Sequence, residues 1–596
     1  MSNTVAKKRG CSISADLEWD VMIYQNGTSI FSLDSDRNIL SRGVVGVDDY
    51  SVISKSISNT PPGGVLVILE GVFFPESTDS IIIDKSINIV GIGSPVIRWE
   101  PDSDIPLLHF TGIVKDSWYT CDQDCYEKEK IVKYGVDITA SVGREDLLVI
   151  RNDNIWDPGD TGKYSSATIA EIHKIKDVYW DGTDTNIVLY DFLIHDYTVA
   201  DNSDFIIYES PKVCLNGIEF VGEGLYLDYR SLVKLEYCRD STVSGCVFSK
   251  VSSTALSTTR CCNIKISECS FRDMDSPGMG YGVACTVSSN VVIKNCHFEN
   301  CRHGAVTGGS YQYGQARDIV VIGCSFTSSA SPVPSCQPID SHSGVENFVV
   351  INNIVNNTGE SGVSTAARQT YVLNNRFYNT GYGVGIRSDV VDRVLVVDGN
   401  MFKDCYYIIA AYTPTGVLPG ELNISYKIIS ARNNLCMNLY SSITCNQPVE
   451  HITVGNNLFF GEQPGSFAYI RMHSAHAGQT TDGTSIYGNI IDKPGYHGID
   501  ILSPCNNNMI ENNVILDCNR EDIANICYIY MNNLIGSKVY GNIISERVAT
   551  TNPNTGISSA GNDVIITNNI VSGFSSGNFI SDSGNRSVVD NNHIYT

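Results

Sequence analysis

The sequence predicts an all-β protein whose main body is a right-handed parallel β-helix, a solenoid of stacked coils. From Phe248 to Ile594, a phrase of two small or polar residues followed by apolar ones recurs at thirteen intervals over 346 residues, about 27 residues each. Most of these phrases follow an alternating apolar run such as NIKIS, NVVIK or DIVVIG. Alternation with period two is typical of strands, and strands at a fixed spacing of this length indicate a solenoid.

A column of stacked side chains is expected two residues before the hydrophobe that anchors each phrase. Stacked copies lie ~4.8 Å apart, so asparagine amides can hydrogen-bond along the column. A single row cannot surround a metal ion tetrahedrally, so we expect its cysteines to serve packing. We place four cysteines and then a run of asparagines in this column, with interruptions at Gly488 and Gly541: Cys246, Cys269, Cys296, Cys324, Asn352, Asn375, Asn400, Asn433, Asn456, Asn512, Asn568 and Asn592.

Four regions are predicted along the chain. Residues 1–46 form a small N-terminal module or attachment segment, and residues 47–110 form the first coils with a capping helix. Residues 111–210 depart from the repeat and are predicted to be a β-rich insertion between early coils. Residues 211–596 form the β-helix. In the insertion, Cys121 and Cys125 have a C-x3-C spacing without a second pair, which favours an ordinary loop over a zinc site.

Composition excludes some classes of function. The chain carries 41 basic and 65 acidic residues, a net charge of −24, whereas a nucleic-acid binder needs cationic surface. No segment approaches the ~20 apolar residues of a membrane span. The basic start MSNTVAKKRG has no apolar stretch behind it, so no signal peptide is predicted. We therefore expect synthesis in a host cytoplasm with reduced cysteines, and release by lysis or on a virus particle.

The segments GGVLVILEG (63–71) and INIVGIG (87–93), after a short amphipathic helix, resemble the opening of pectate-lyase-like β-helix proteins of the phage and archaeal-virus tailspike type. Residues 20–43 resemble a small module that precedes such helices. The resemblance implies a host surface glycan as partner, a homotrimer, and attachment to a virion baseplate or tail through the N-terminal segment. It implies action outside the cell, and no cofactor or metal.

The candidate site lies where bland repeats give way to ionisable residues. Aligning PIDSHS (338–343) with GVSTAA, GVGIRS and GIDILS places Asp340 and His342 on the outer face of a strand, beside bland positions such as Ser364 and, further along, Ser558. RHG (302–304) and DSHSG (340–344) also resemble an Arg-His and Asp-x-His pairing of tail-associated β-helix proteins. The predicted catalytic residues are His303, Asp340, His342 and Glu346. The predicted substrate-binding residues are Arg302, Arg368 and Arg387, with Tyr311 and Tyr313 for stacking on sugar rings.

Three kinds of function stay open at this stage. Hydrolysis of a glycosidic bond needs two carboxyl groups, here Asp340 and Glu346. Elimination needs a base, His303 or His342, and an arginine to neutralise the substrate carboxylate; the cationic patch would favour an anionic glycan. A non-catalytic receptor-binding spike, a structural solenoid or a polysaccharide epimerase are the alternatives. A second cluster is also visible: Arg471, His473, His476, His497 and Asp500.

Overall fold

The architecture was determined from a computed structural model of the 596-residue chain. It describes residues 18–77, 79–99, 105–155, 168–222, 231–274, 280–309, 314–328, 337–386, 393–411, 426–439, 443–445, 449–461, 469–472, 481–494, 496–502, 505–518, 526–532, 534–546, 554–574 and 579–595. The chain forms two compact units that divide near residue 329. The N-terminal unit contains the described residues up to 328, and the C-terminal unit those from 337.

The N-terminal unit begins with a small antiparallel sheet and one α-helix. Its strands are Val21–Asn26, Ser29–Asp34 and Ile39–Val44, and the helix is Asp49–Asn59. The helix buries Val52, Ile53 and Ile57. The strand Val21–Asn26 also pairs in parallel with the first coil, so the module continues the stacked sheet. The first coils contain the strands Val65–Leu69, Val72–Phe73, Ile81–Ile83, Ile87–Ile92, Val96–Trp99 and Leu108–Thr111.

A second, largely antiparallel sheet interrupts the coils. It contains Ile113–Val114, Tyr119–Thr120, Ile131–Tyr134, Leu147–Ile155, Thr168–Trp180, Thr185–Leu189 and Asp204–Glu209, with a 3-10 turn at Val199–Asp201. The next strand, Val213–Asn216, pairs in parallel with Ile87–Ile92, so the coils resume on the rung next to the one that precedes the insertion. Cys121 and Cys125 are free thiols in the hydrophobic core of this insertion, and burial raises the pKa of Cys121 to about 12.

A buried polar network joins the insertion to the coils. Glu171 accepts a hydrogen bond from the Tyr197 hydroxyl and lies 2.8 Å from His173 Nε2. Arg317, which begins a coil strand, places Nη2 3.0 Å from His173 Nδ1 and donates to the Ile172 carbonyl. Burial, and then the Arg317 charge, lower the pKa of His173. A neutral ring that donates to Glu171 and accepts from Arg317 satisfies this network.

Each coil of the N-terminal unit contributes strands to three faces, which we call A, B and C in chain order. Face A contains Val213–Asn216, Arg239–Ser244, Cys262–Ser267, Ser289–Lys294 and Arg317–Ile322. Face B contains Glu219–Gly222, Val247–Ser249, Ser270–Met274, His297–Cys301 and Ser325–Thr327. Face C contains Ser231–Glu236, Thr254–Thr259, Tyr281–Thr286 and His303–Gly308. Neighbouring strands within each face pair in parallel, as in a right-handed parallel β-helix.

The C-terminal unit repeats the same three faces. Face A contains Asn347–Ile351, Gln369–Leu373, Arg393–Asp398, Tyr426–Arg432, Val449–Gly455, Ser485–Tyr487, Met509–Glu511, Lys538–Tyr540, Ile565–Thr567 and Val588–Asp590. The strands Ile354–Thr365 and Arg376–Ile386 run through faces B and C. Face B continues with Met401–Lys403, Leu435–Met437, Leu458–Phe460, Ile490–Asp492, Val514–Leu516, Ile543–Ser545, Ile570–Ser572 and His593–Tyr595. Face C contains Ile339–Ser341, Tyr407–Ala411, Ile443–Cys445, Ile470–Met472, Ile499–Ile501, Cys527–Met531, Thr555–Ser559 and Ile580–Asp582. Three short strands, Thr481–Asp482, Cys505–Asn506 and Leu534–Ile535, pair beside them.

The cysteine column is confirmed in the N-terminal unit. Cys246, Cys269, Cys296 and Cys324 are buried free thiols on successive rungs, because the phenylalanine two residues after each pairs with the next. Those phenylalanine rings stack with centroids 4.7–5.1 Å apart. The aromatic stack and the thiols together fill the inside of the turn between faces A and B.

Five of the predicted asparagine positions were wrong, and so were both predicted interruptions. The asparagines that stack form a ladder in which the Nδ2 atom of each donates to the Oδ1 atom of the next at 2.9–3.1 Å. The ladder contains Asn353, Asn375, Asn400, Asn434, Asn457, Asn489, Asn513, Asn542, Asn569 and Asn592. The residue before each ladder asparagine is left-handed, with φ from 50° to 66°. Glycine and asparagine tolerate that conformation best, which is why Gly488 and Gly541 occur there.

Candidate functional site

An aspartate–histidine pair lies at one end of face C in the C-terminal unit. Asp340 is the middle residue of the strand Ile339–Ser341, and His342 follows the strand directly. The Asp340 Oδ2 and His342 Nε2 atoms are 3.0 Å apart. The carboxyl side chain is 0% exposed, whereas the imidazole is 29% exposed. The pair therefore presents the histidine ring to solvent, with the carboxylate behind it.

The predicted solvent exposure of this column was wrong. Ile339 belongs to the inner column of face C and Asp340 to the outer one, as the alternation predicts. However, Asp340 and its strand partner Ser364 are both fully buried. The imidazole contacts the Asp340 carboxylate from the more exposed side, so an outward position is not a surface position here.

A second ion pair lies at the other end of the turn that follows. Glu346 precedes the face A strand Asn347–Ile351, and its Oε2 atom is 3.3 Å from Arg368 Nη1. The arginine side chain is 29% exposed and the glutamate 13%. Arg368 thus lies beside a carboxylate, so its positive charge is partly balanced within this turn.

In the N-terminal unit, Arg302 is half-buried and His303 begins the strand His303–Gly308. His303 is only 3% exposed, because its ring packs against Tyr281 of the preceding rung with centroids 5.2 Å apart. The predicted outward position of His303 is therefore not exposed to solvent, and its catalytic role stays a prediction. Tyr311, Tyr313 and Arg387 lie outside the described residues, as do His473 and His476.

The second predicted cluster forms a set of contacts in the C-terminal unit. Arg471 Nε lies 3.4 Å from Asp500 Oδ2, with the arginine 30% exposed and the aspartate 6%. The His497 ring stacks on Tyr530, with centroids 5.4 Å apart and planes within 15°. Its Nδ1 atom lies 2.8 Å from the Cys527 carbonyl oxygen, which fixes the ring against the next rung.

Strand register places both clusters in one column of face C. The outer positions pair rung by rung in the order Asp340, Ser364, Gly385, Ala410, Thr444, Arg471, Asp500, Tyr530, Ser558 and Ser581. Asp340 and Arg471 are five rungs apart, about 24 Å at the usual strand spacing. Only residues with small side chains occupy the positions between them. We call this row the face C column.

Among the described residues, no group of three or more metal-ligating side chains is close enough to hold an ion. In the same part of the chain, no helix is both long and apolar enough for a membrane span. Three groups of the described residues could act on or bind a ligand. They are the His342 imidazole in contact with the Asp340 carboxylate, the Arg368–Glu346 ion pair, and the stacked rings of His497 and Tyr530.

Residues 172–328 match the family model of the right handed beta helix region. Among solved structures, the tailspike of Pseudomonas phage phi297 superposes with a TM-score of 0.53 at 14% identity, covering 86% of this chain and 72% of the tailspike. The tailspike of Acinetobacter baumannii bacteriophage AP22, solved with a capsular saccharide, superposes with a TM-score of 0.50 at 13% identity. That superposition covers 78% of this chain and 74% of the AP22 tailspike. The chain folds as these tailspikes do. The capsule K1-specific depolymerase of Klebsiella phage K64-1 is 25% identical over 248 residues. That match spans 39% of this chain and 26% of the depolymerase.

Proposed function

We propose that this chain is a viral tailspike that binds a polysaccharide of the host cell surface and cleaves it on face C of the C-terminal unit. The Asp340–His342 pair carries this proposal. Removing a carboxylate from water costs several kcal/mol unless a partner compensates, and a turn of a solenoid needs no such group. Buried carboxylates that hold a partly exposed imidazole are typical of sites where a proton is moved.

Elimination is the reaction that the geometry of this pair favours. His342 would take the C5 proton of a uronic acid residue, the C–H electrons would form the C4–C5 double bond, and the glycosidic oxygen would leave and acquire a proton. Asp340 would orient the ring and stabilise its cationic form. Arg368 would neutralise the substrate carboxylate, exchanging part of its contact with Glu346. Hydrolysis is the second candidate, and it requires the fully buried Asp340 carboxyl to reach the substrate.

The comparisons support the substrate class. The Klebsiella phage relative is named as a capsule-specific depolymerase, and the AP22 tailspike was solved with a capsular saccharide. The names of both proteins refer to a bacterial capsule. The present chain is similar in sequence to the first and in fold to the second. On that basis we propose a capsular or similar surface glycan as the substrate of this chain.

Incubation with a panel of purified bacterial capsular polysaccharides tests the function. Elimination predicts new reducing ends together with the ultraviolet absorbance of unsaturated uronates, and products that have gained no water. Hydrolysis predicts reducing ends without that absorbance. Binding without any product would support a receptor-binding spike, and neither binding nor product across a broad panel would contradict the proposal.

Assembly and location follow from the same proposal. An aliphatic row crosses seven rungs of face B in the C-terminal unit: Met401, Leu435, Leu458, Ile490, Val514, Ile543 and Ile570. Leu458, Ile490 and Ile543 are 36–41% exposed. Two further copies, related by a three-fold axis parallel to the rungs' stacking direction, would bring the three rows together at that axis and cover them. We therefore propose a homotrimer on the virion tail, attached to the baseplate or tail through residues 1–46 and acting outside the cell.

A further inference from the structure

We propose that Arg471, Asp500, His497 and Tyr530 form a distal subsite that binds a second sugar residue of the same polysaccharide. The inference rests on the proposed function, because it assigns a further contact of the substrate of that site. Arg471, Asp500 and Tyr530 occupy three consecutive positions of the face C column. His497 lies just before the strand Ile499–Ile501, and its ring packs on Tyr530.

The aromatic pair has the properties of a sugar-stacking ledge. Tyr530 and His497 are both half-buried, and their planes are nearly parallel. Tyr496 packs against the same imidazole edge to face, with centroids 5.7 Å apart. The Cys527 backbone holds the ring at Nδ1, so little side-chain entropy remains to be lost on binding. A rigid aromatic face with a negative quadrupole is suited to the C–H face of a pyranose ring.

The Arg471–Asp500 pair supplies the polar half of the subsite. The partly exposed guanidinium of Arg471 can donate hydrogen bonds to adjacent hydroxyl groups of a sugar, while the buried Asp500 carboxylate holds the guanidinium in place. Their charges balance each other. The subsite therefore fits an uncharged, hydroxyl-rich sugar residue rather than an acidic one, unlike the reaction centre proposed at His342.

The distance between the distal subsite and the reaction centre proposed at His342 sets the minimum length of a glycan that contacts both. Five rungs separate Asp340 from Arg471, about 24 Å along face C. Ser364 and Gly385 between them have small or no side chains, so neither projects from the face. A linear polysaccharide aligned with the stacking direction meets both ends. If each sugar advances by about one rung, roughly five or six residues are needed.

Calorimetric titration with capsular oligosaccharides of graded length tests the inference. The oligosaccharides come from whichever capsular polysaccharide the wild type binds. Wild-type affinity should rise about tenfold once the oligosaccharide passes roughly five residues, since stacking and hydrogen bonds contribute on that order. Tyr530→Ala, Tyr530→Leu and Arg471→Ala should each lose this rise, while affinity for shorter oligosaccharides stays unchanged. Because the pair is neutral overall, salt should scarcely alter the rise.

Two controls keep the outcomes apart. Arg586→Ala removes an arginine from another Arg–Asp pair, with Asp563, on an exposed part of the unit. Ser581→Ala changes an exposed position of the same column. Both should keep the wild-type rise. A rise that persists in folded Tyr530→Leu and Arg471→Ala overturns the distal subsite and leaves the proposed function standing. If the wild type binds no capsular polysaccharide of any length, the proposed function fails and the subsite with it.

Discussion

Adjacent asparagines in the C-terminal unit have opposite structural roles. Asn457 is buried, and its Nδ2 atom donates to the Ala431 carbonyl and to Asn489. Asn456, one residue earlier, is exposed with φ of 55°. The first residue belongs to the ladder that holds the coils together, and the second only turns the chain between faces A and B.

Substitution of this pair should separate the two roles. Asn457→Ala removes the ladder contacts and leaves buried groups without partners, so it should lower the free energy of unfolding by about 3 kcal/mol. Asn456→Gly keeps a residue that tolerates positive φ and should change it by less than about 0.5 kcal/mol. Denaturant unfolding of both variants measures this. Equal effects would contradict the ladder assignment.

The sequence predicts that a ladder exists but not its register. In the phrase NNLF the first two residues are both asparagine, and only the backbone conformation distinguishes the turn residue from the ladder residue. The signal that could have decided it is GNII at 488–491 and 541–544, where glycine occupies the left-handed position. Similarly, alternation places Asp340 on the outer face, but it carries no information about what covers that face. The burial of Asp340 and Ser364 depends on tertiary packing.

At the scale of elements, the sequence predicts that the insertion is β-rich but not how it is attached to the coils. Its β-rich character follows from short apolar runs that contain β-branched residues, such as EDLLVI and NIVLY. Its attachment to the coils does not follow from the sequence, because Arg317 lies 144 residues after His173 and no motif links the two. The pairing becomes evident only where the strand Thr168–Trp180 packs beside the start of Arg317–Ile322.

This buried network should make stability depend on pH. The pKa of His173 is lowered from its usual 6.5 in the folded chain. Below pH 6.5 the unfolded chain therefore binds a proton that the folded chain does not, and stability falls as the pH falls, by at most about 1.4 kcal/mol per pH unit. His173→Gln can still donate to Glu171 and accept from Arg317, but it does not titrate.

Thermal unfolding between pH 8 and pH 5 measures the effect. We expect the wild-type melting temperature to fall more steeply below pH 6.5 than that of His173→Gln, and the two curves to run parallel above pH 7. Parallel curves over the whole range would show that His173 does not contribute to the pH dependence.

At the scale of the whole molecule, the aliphatic row on face B sets the expected assembly. It contains no ionisable residue from Met401 to Ile570, whereas the chain as a whole carries a net charge of −24. The net negative charge makes copies of this chain repel each other. A row without ionisable residues adds no local charge repulsion where it contacts the same row of another copy. The repeat predicts the row, since it is the third letter of each phrase, but the phrase alone does not show that these side chains are exposed.

Charges placed in the row should prevent assembly. Ile490→Lys and Ile543→Lys change side chains that are already more than one third exposed, so the coil should remain folded. Light scattering at micromolar concentration should give a trimer for the wild type and for Ser581→Lys, and a monomer for the double variant. A monomeric wild type, or a double variant that stays trimeric, would exclude this row as the interface.

His342, backed by the buried Asp340, is the group proposed to cleave a host polysaccharide. The most direct measurement is the rate of reducing-end release by His342→Ala, compared with wild type and Arg586→Ala, on a capsular polysaccharide that the wild type degrades. We expect turnover to fall by about 100-fold or more while the folded variant still binds the polysaccharide, because one acid–base group contributes on that order. Release at the wild-type rate by folded His342→Ala would show that His342 is not the catalytic group.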